Sequence, residues 1–352
     1  MFTALSLPLL LLVFAAAAAA VWRAGIHLSE MTDVLADRFH LGQALGGLIL
    51  LAVATNLPEI AVTTSAGLRH DLGIAIGNIL GGVAIQTVVL VVLDVWGMGD
   101  AGPLMSRAAS LVVVLEGVLV VGVLIVAMMG TQLPAWLIVA RVAPGGLLIT
   151  VLWGVGLWLV GKARNALPWR PDPESAACQQ EDEAQNAKQD DDGQPGTARA
   201  VGVFAAAAAV TLIGGVVLEQ SGEAVADRIG MSGVLFGATV LAAATALPEV
   251  STGMASIALG DYELAVSDVF GGNAFLPVLL LLATLISGQA ALPQAQPSDI
   301  YLAGLGILLT CVYVYGLIFR PQRQILRMGI DSLVVLVLYA LGMAGLVAIA
   351  RT

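Results

Sequence analysis

Two glutamates, Glu59 and Glu249, stand in near-identical surroundings: Ala54-Thr55-Asn56-Leu57-Pro58-Glu59 and Ala244-Thr245-Ala246-Leu247-Pro248-Glu249. A proline inside a helix has no N–H for the carbonyl four residues back, so Pro58 and Pro248 leave the carbonyls of Ala54 and Ala244 without their usual donor. In hydrocarbon such oxygens persist only where protein, water or an ion satisfies them. Residues four apart share a helix face, which predicts Thr55 beside Glu59 and Thr245 beside Glu249. Each copy then offers a carboxylate, a hydroxyl and a backbone carbonyl together. That is an all-oxygen set, fitted to hard cations such as Ca²⁺ or Na⁺ and poorly fitted to soft metals. Two ionised carboxylates about 6 Å apart repel by about 3 kcal/mol at an effective dielectric near 20, so protons and a divalent cation would compete for the same oxygens. No soft ligand intrudes: His27, His40 and His70 fall near predicted span ends, where a solvated role is expected.

The elements that must carry these acids follow from composition and repetition. With 59% hydrophobic and 11% charged residues over 352 positions and a mean hydropathy of +0.93, the chain is too apolar for a soluble domain with a covered core. Apolar runs near the roughly 20 residues that a membrane span needs fall at 4–22, 43–68, 72–96, 107–129 and 133–161, then at 199–218, 232–259, 263–286, 299–319 and 331–350. The glutamate motifs lie 190 residues apart, and the same offset relates Phe14 to Phe204, Gly25 to Gly215, Asp37-Arg38 to Asp227-Arg228 and Gly81-Gly82 to Gly271-Gly272. The sequence therefore predicts an all-α membrane protein of ten transmembrane helices in two repeats, 1–161 and 199–352, joined by a linker at 162–198. The apolar start, Leu5 to Ala20, has the look of a secretory signal. Its copy Phe204-Ala205-Ala206, in mid-chain, cannot be one, so Phe14-Ala15-Ala16 is expected to stay in the mature protein.

Five spans per repeat is an odd number, so the second copy enters the membrane from the opposite side and the repeats are inverted. Arg23, Arg38, Arg107, Lys162, Arg164, Arg170, Lys188, Arg199, Arg320, Arg323 and Arg327 fall on the linker side, against Arg69, Arg228 and Arg351 on the other. The positive-inside bias then makes the linker cytoplasmic and puts both termini outside, in a plasma or inner membrane. Inverted repeats bring equivalent groups face to face near mid-membrane, which makes Glu59 and Glu249 the natural pair.

A second duplicated element adds candidates: Gly77-Asn78-Ile79-Leu80-Gly81-Gly82 against Ser267-Asp268-Val269-Phe270-Gly271-Gly272. Its glycines permit close helix approach. Asn78, Gly82 and Gln86 follow at four-residue steps and share a face that can look toward the Leu-Pro-Glu helices; the second copy gives Asp268, Gly272 and Leu276. Asp94, Glu116 and Arg141 also lie in apolar runs, where charges are functional candidates by default. Their spacing allows either an ion pair between Glu116 and Arg141 or separate roles at span ends.

These motifs resemble the cation/calcium exchanger superfamily, whose two alpha repeats read Gly/Ala-Thr-Ser-Leu-Pro-Glu followed by Gly-Asn-x-x-Gly-Ser-Asn-x-x-Asn. The resemblance covers essentially the whole chain. It implies antiport of Ca²⁺ against Na⁺ or H⁺ by alternating access around a central site on helices two, three, seven and eight. The family's ligands fall on Thr55, Asn56, Glu59, Thr245 and Glu249. With the glycine-element residues, the metal candidates are Thr55, Asn56, Glu59, Asn78, Gln86, Thr245, Glu249 and Asp268. The chain also departs from the pattern. Asn56 and Ala246 stand for Ser, Gly82 and Gly272 for the Ser of Gly-Ser, Gln86 and Leu276 for the downstream Asn or Asp, and Asp268 for Asn. The central divalent site is thus better kept than the flanking Na⁺ positions, which implies coupling to fewer Na⁺ ions or to protons.

An antiporter for another cation, such as a Na⁺/H⁺ exchanger, is the second reading. A passive cation channel is the third, although it gives no reason for inverted duplication around one site. No Gly-x-x-x-x-Gly-Lys-Ser/Thr loop is present to cradle a nucleotide, and no enzymatic step or cofactor is expected beyond the transported ions. The formal charge of −10 comes largely from Asp172, Glu174, Glu181, Asp182, Glu183, Asp190, Asp191 and Asp192, all in the linker, and no basic footprint for nucleic acid exists. The linker composition predicts a disordered tether. Asp190-Asp191-Asp192-Gly193 lacks the alternating ligands of an EF-hand loop. Cys178 and Cys311 give no disulfide framework.

Overall fold

The computed structural model describes residues 5–38, 52–99, 101–166, 196–231 and 236–349. Most of the acidic linker, the first third of the predicted span 43–68 and a few residues at the start of span 232–259 lie outside them, as does His40. The first repeat contributes α1 (Leu7–Arg38), α2 (Leu57–Leu68), α3 (Leu72–Val92), α4 (Leu111–Gly130) and α5 (Pro144–Ala166). The second contributes α6 (Thr197–Ile229), α7 (Leu247–Ala258), α8 (Tyr262–Phe275), α9 (Pro297–Phe319) and α10 (Ile330–Ile349). A π-helical turn, Leu93–Gly97, extends α3, and α8 runs on through a 3-10 turn at Leu276–Val278 into a helix at Leu279–Ser287. Among the described residues eight helices are long and apolar enough to cross a membrane. The bent pair Thr239–Thr245 and Leu247–Ala258 makes a ninth when taken as one span.

The helix starts repeat at the atomic level. Asp71 accepts a hydrogen bond from the Ile74 N–H at the head of α3, and Asp261 accepts one from Leu264 at the head of α8, each satisfying a donor that a helix N-terminus leaves free. Helices α2 and α7 both open on Leu-Pro, with proline in the first turn, where its missing N–H costs nothing. The residues just before them, Asn56 and Ala246, have ψ of 14° and 4°, outside helical geometry. These are the breaks that the Leu-Pro pairs impose.

Helices α1 and α6 run farther than the apolar stretches 4–22 and 199–218. Arg23, His27 and Glu30 end the hydropathy of the first run but not its helical propensity, so α1 continues to Arg38, and α6 ends at Gly230 in the left-handed conformation with φ of 70°. His27 thus sits inside α1, with its side chain about half exposed beside Glu30. The two long helices pack along one another and cross the broken helices, α1 against α7 and α6 against α2. Glycine permits both crossings. A Cβ on Gly25 would lie 2.9 Å from Pro248 Cβ, and one on Gly215 would lie 2.9 Å from the Pro58 carbonyl oxygen. The matched crossings show a pseudo-twofold arrangement directly. Helix α3 is buried through most of its length and packs on α9, while α4 joins α9 to α5 and α8.

Candidate cation site

All eight candidate residues are buried: Thr55, Asn56, Glu59, Asn78, Gln86, Thr245, Glu249 and Asp268. Glu59 lies in the first turn of α2 and Glu249 in the first turn of α7, where the free N–H groups of a helix start favour negative charge. Between them comes Gln86 of α3. Its Nε2, with two N–H donors to share, lies 3.4 Å from Glu59 Oε1, 3.2 Å from Glu249 Oε1 and 3.3 Å from Asn56 Oδ1. A single amide nitrogen therefore touches one carboxylate from each repeat, so the two acids are no farther apart than those two contacts laid end to end.

Asn56 turns its Nδ2 back to the Ala52 carbonyl at 2.7 Å, taking up an oxygen at the helix break. Thr245 donates to the Ala242 carbonyl at 3.2 Å, within its own stretch of helix. The rule that residues four apart share a face holds within one straight helix. Here the axis bends by 45° between Thr245 and Leu247, so the two residues do not lie on one straight helix.

Asp268 bonds to the Thr252 hydroxyl on α7, and the same hydroxyl lies 3.2 Å from the Glu249 backbone carbonyl oxygen. The second repeat therefore adds a third acid near the centre. Asn78 lies two turns before Gln86 on α3, and its amide atoms bond to neither glutamate. Two partners of the site escape sequence reasoning: Thr252, which binds Asp268, and Asn273, which donates to Thr87 Oγ1 at 3.1 Å and ties α8 to α3. The signal for Asn273 is an amide directly after Gly271-Gly272, where the exchanger pattern also has Asn. For Thr252 the sequence holds no comparable signal.

Several polar atoms here are buried without a hydrogen-bond partner among the described residues: Glu59 Oε2, Glu249 Oε2, Gln86 Oε1, Asn273 Oδ1 and both amide atoms of Asn78. Leaving such groups unpaired costs about 1–3 kcal/mol each, and all but the Asn78 nitrogen are oxygens. No cluster of three or more Asp, Glu, His or Cys side chains suited to a metal occurs among the described residues. A cation held between the glutamates would draw its remaining ligands from amide, hydroxyl and backbone oxygens, the usual way a hard cation completes its shell.

The other buried charges lie elsewhere. Asp94 accepts hydrogen bonds from the N–H groups of Leu104 and Gly329, pinning the end of α3 to a hairpin of Gln324–Ile325 and Met328–Gly329. Arg141 donates to the carbonyls of Leu285 and Ile286 at the end of the Leu279–Ser287 helix, a favourable place for a cation. Glu116 lines a cavity with Trp153, Ser267 and Gly271. The roles are therefore separate, with Arg141 serving a helix terminus.

The model of the sodium/calcium exchanger protein family matches residues 9–161 and 199–347. The chain belongs to this family. The inner membrane protein YrbG of Escherichia coli is 26% identical over 268 residues, 76% of this chain and 77% of YrbG. The putative antiporter CaxA of Alkalimonas amylolytica is 30% identical over 105 residues, 29% of this chain and 33% of CaxA. Among solved structures, the sodium-calcium exchanger NCX_Mj superposes with a TM-score of 0.63 at 15% identity, covering 96% of this chain and 99% of its own. The H⁺/Ca²⁺ exchanger CAX gives a TM-score of 0.64 at 13% identity, covering 96% and 82%. At these identities the superpositions speak for a shared exchanger fold.

Proposed function

We propose that this exchanger-family protein is a secondary antiporter that moves Ca²⁺ against Na⁺ or H⁺ by alternating access, with Glu59 and Glu249 as the two halves of one cation site. The observation that carries the reading is the single amide of Gln86 in contact with both carboxylates. A divalent cation in that place would offset the repulsion between two buried acids and supply partners for their free oxygens. Thr55, Asn56, Thr245, Asn78 and Asp268 are the further residues proposed around it. The site works as a carrier, taking an ion and releasing it unchanged.

The co-ion is proposed from what the flanking positions lack. Gly82 and Leu276 present no side-chain oxygen where the family pattern has a hydroxyl and an amide or acid, which favours few Na⁺ ions or protons as the counter-flux. The same thinning supports the second reading, Na⁺/H⁺ exchange. Reconstituted flux under imposed gradients separates them. Ca²⁺ uptake driven by an outward Na⁺ or H⁺ gradient, and absent without a trans ion, is the expected result. A steep multi-ion Na⁺ dependence would contradict the thinned coupling, Na⁺/H⁺ flux without Ca²⁺ flux would favour the second reading, and conduction without a trans ion would mean a channel.

The proposed orientation places the linker in the cytoplasm and both termini outside, in an inner or plasma membrane. Reporter tags on the two termini should both be reached from outside.

A further inference from the structure

The pseudo-twofold symmetry that holds at the helix crossings fails at one end of α2. Glu219 of α6, only 1% exposed, receives the Ser65 hydroxyl at 3.2 Å and forms an ion pair with Arg69. The guanidinium also reaches Glu223 at 3.1 Å. Ser65 lies in the last turn of α2 and Arg69 is its C-cap. Glu59 opens the same twelve-residue helix, about 15 Å away at 1.5 Å per residue.

The mirrored positions lack the cation. At the 190-residue offset, Ser65 becomes Ala255 and Arg69 becomes Leu259, while Glu219 and Glu223 become Ser29 and Asp33. Leu259 is 82% exposed and cannot pair with either. The crossings Gly25 on Pro248 and Gly215 on Pro58 are alike in both halves, yet α2 ends on an arginine that α6 binds, whereas α7 ends on Leu259, which carries no charge.

Resting on the proposed alternating access, we infer that Ser65, Arg69, Glu219 and Glu223 are positioning residues for the exchange cycle: a one-sided latch that holds α6 against the far end of α2 and biases which face of the glutamate pair is open. In an inverted-repeat carrier the two access states interchange the roles of the repeats. A tie made between α6 and α2, with no charged counterpart at the mirrored positions of α1 and α7, lowers one of those states and leaves the other unaided. Glu219 makes the bias strong, because parting α6 from α2 would strip a buried carboxylate of its cationic partner. Because α2 is short and continuous, movement at its latched end is carried to Glu59 at the other.

The test uses spin labels on the exposed positions Leu68 and Ile229, 68% and 53% exposed, in the full chain with Cys178 and Cys311 replaced by serine. The distance distribution does not depend on which ion is carried. One dominant separation is expected in the parent. In Arg69→Gln a second, longer separation should appear, its share rising about tenfold or more, a typical size for a coupling of this kind. Glu223→Gln, a change at a half-exposed position that folding tolerates, should move the distribution the same way by a smaller factor. Installing the mirrored tie with Ser29→Glu and Leu259→Arg should populate the longer separation without touching the native latch. Unchanged distributions in both Arg69→Gln and Glu223→Gln would overturn the inference. If the populations shift while no cation gradient drives flux in the parent, the latch stands and the antiport reading fails. If gradients drive flux in the parent while the populations stay put, the antiport reading stands and the latch fails.

Discussion

Gly82 and Gly272 occupy mirrored places on α3 and α8, yet they look onto different chemistry. A Cβ on Gly272 would lie 2.8 Å from Asn56 Nδ2 and 3.5 Å from Gln86 Oε1, whereas one on Gly82 would meet Leu276 Cδ1 at 3.2 Å. Gln86 and Leu276 are themselves mirror partners. One half of the centre is thus polar and holds both glutamates through an amide; the other is closed by a hydrocarbon side chain. Duplication supplied two equal frames, and divergence of a few side chains left the acids symmetric while making their surroundings unequal. The proposal of a kept divalent site with thinned co-ion positions rests on that inequality.

The comparison breaks most sharply at the acids, the part that remains equal. Glu59→Gln and Glu249→Gln should each reduce gradient-driven Ca²⁺ uptake by about a hundredfold or more, about 2.7 kcal/mol, with helical content unchanged by circular dichroism because the shape of the side chain is kept. Retained flux in one of the two would mean that the acids do not act as a pair. Next in size is the bridging amide. Gln86→Leu makes the polar half resemble the apolar one and should weaken Ca²⁺ binding by about ten- to a hundredfold, about 1.4–2.7 kcal/mol, read by titration calorimetry.

Smaller effects sharpen the contrast. Gly272→Ala pushes against the Asn56 amide that closes the helix break and should cost about tenfold in Ca²⁺ affinity, whereas Gly82→Ala meets a leucine methyl that can shift and should cost no more than about threefold. Equal effects would show that the two halves are alike after all. The smallest change is a gain. Leu276→Gln gives the second half the amide of the first and should steepen the Na⁺ dependence of flux, lowering its half-saturation by about two- to fivefold, a gain below about 1 kcal/mol. Flux against Na⁺ concentration checks it.

Much of this is legible in the sequence because duplication tests every reading twice. The offset relating Glu59 to Glu249 also relates Asp71 to Asp261 and Gly25 to Gly215, and each of these positions performs the same task in both halves. The pairing of Glu59 with Glu249 follows from inversion alone. What stays hidden depends on angles and on long-range packing. The 45° bend that separates Thr245 from the Leu247–Ala258 helix is encoded by no periodicity. The Asp268–Thr252 and Asn273–Thr87 bonds join separate helices whose rotations are set by the whole bundle. Arg69 and Glu219 lie far apart in sequence, and their mirrored positions, Leu259 and Ser29, repeat neither charge, which removes the signal that exposes everything else.

The central claim, one cation held jointly by two mirrored acids, is tested most directly by counting bound Ca²⁺ in purified protein by equilibrium dialysis. One ion per chain in the parent and none in either Glu59→Gln or Glu249→Gln is the expected outcome. Two ions in the parent, with one surviving in each single variant, would mean two independent sites and would contradict the account.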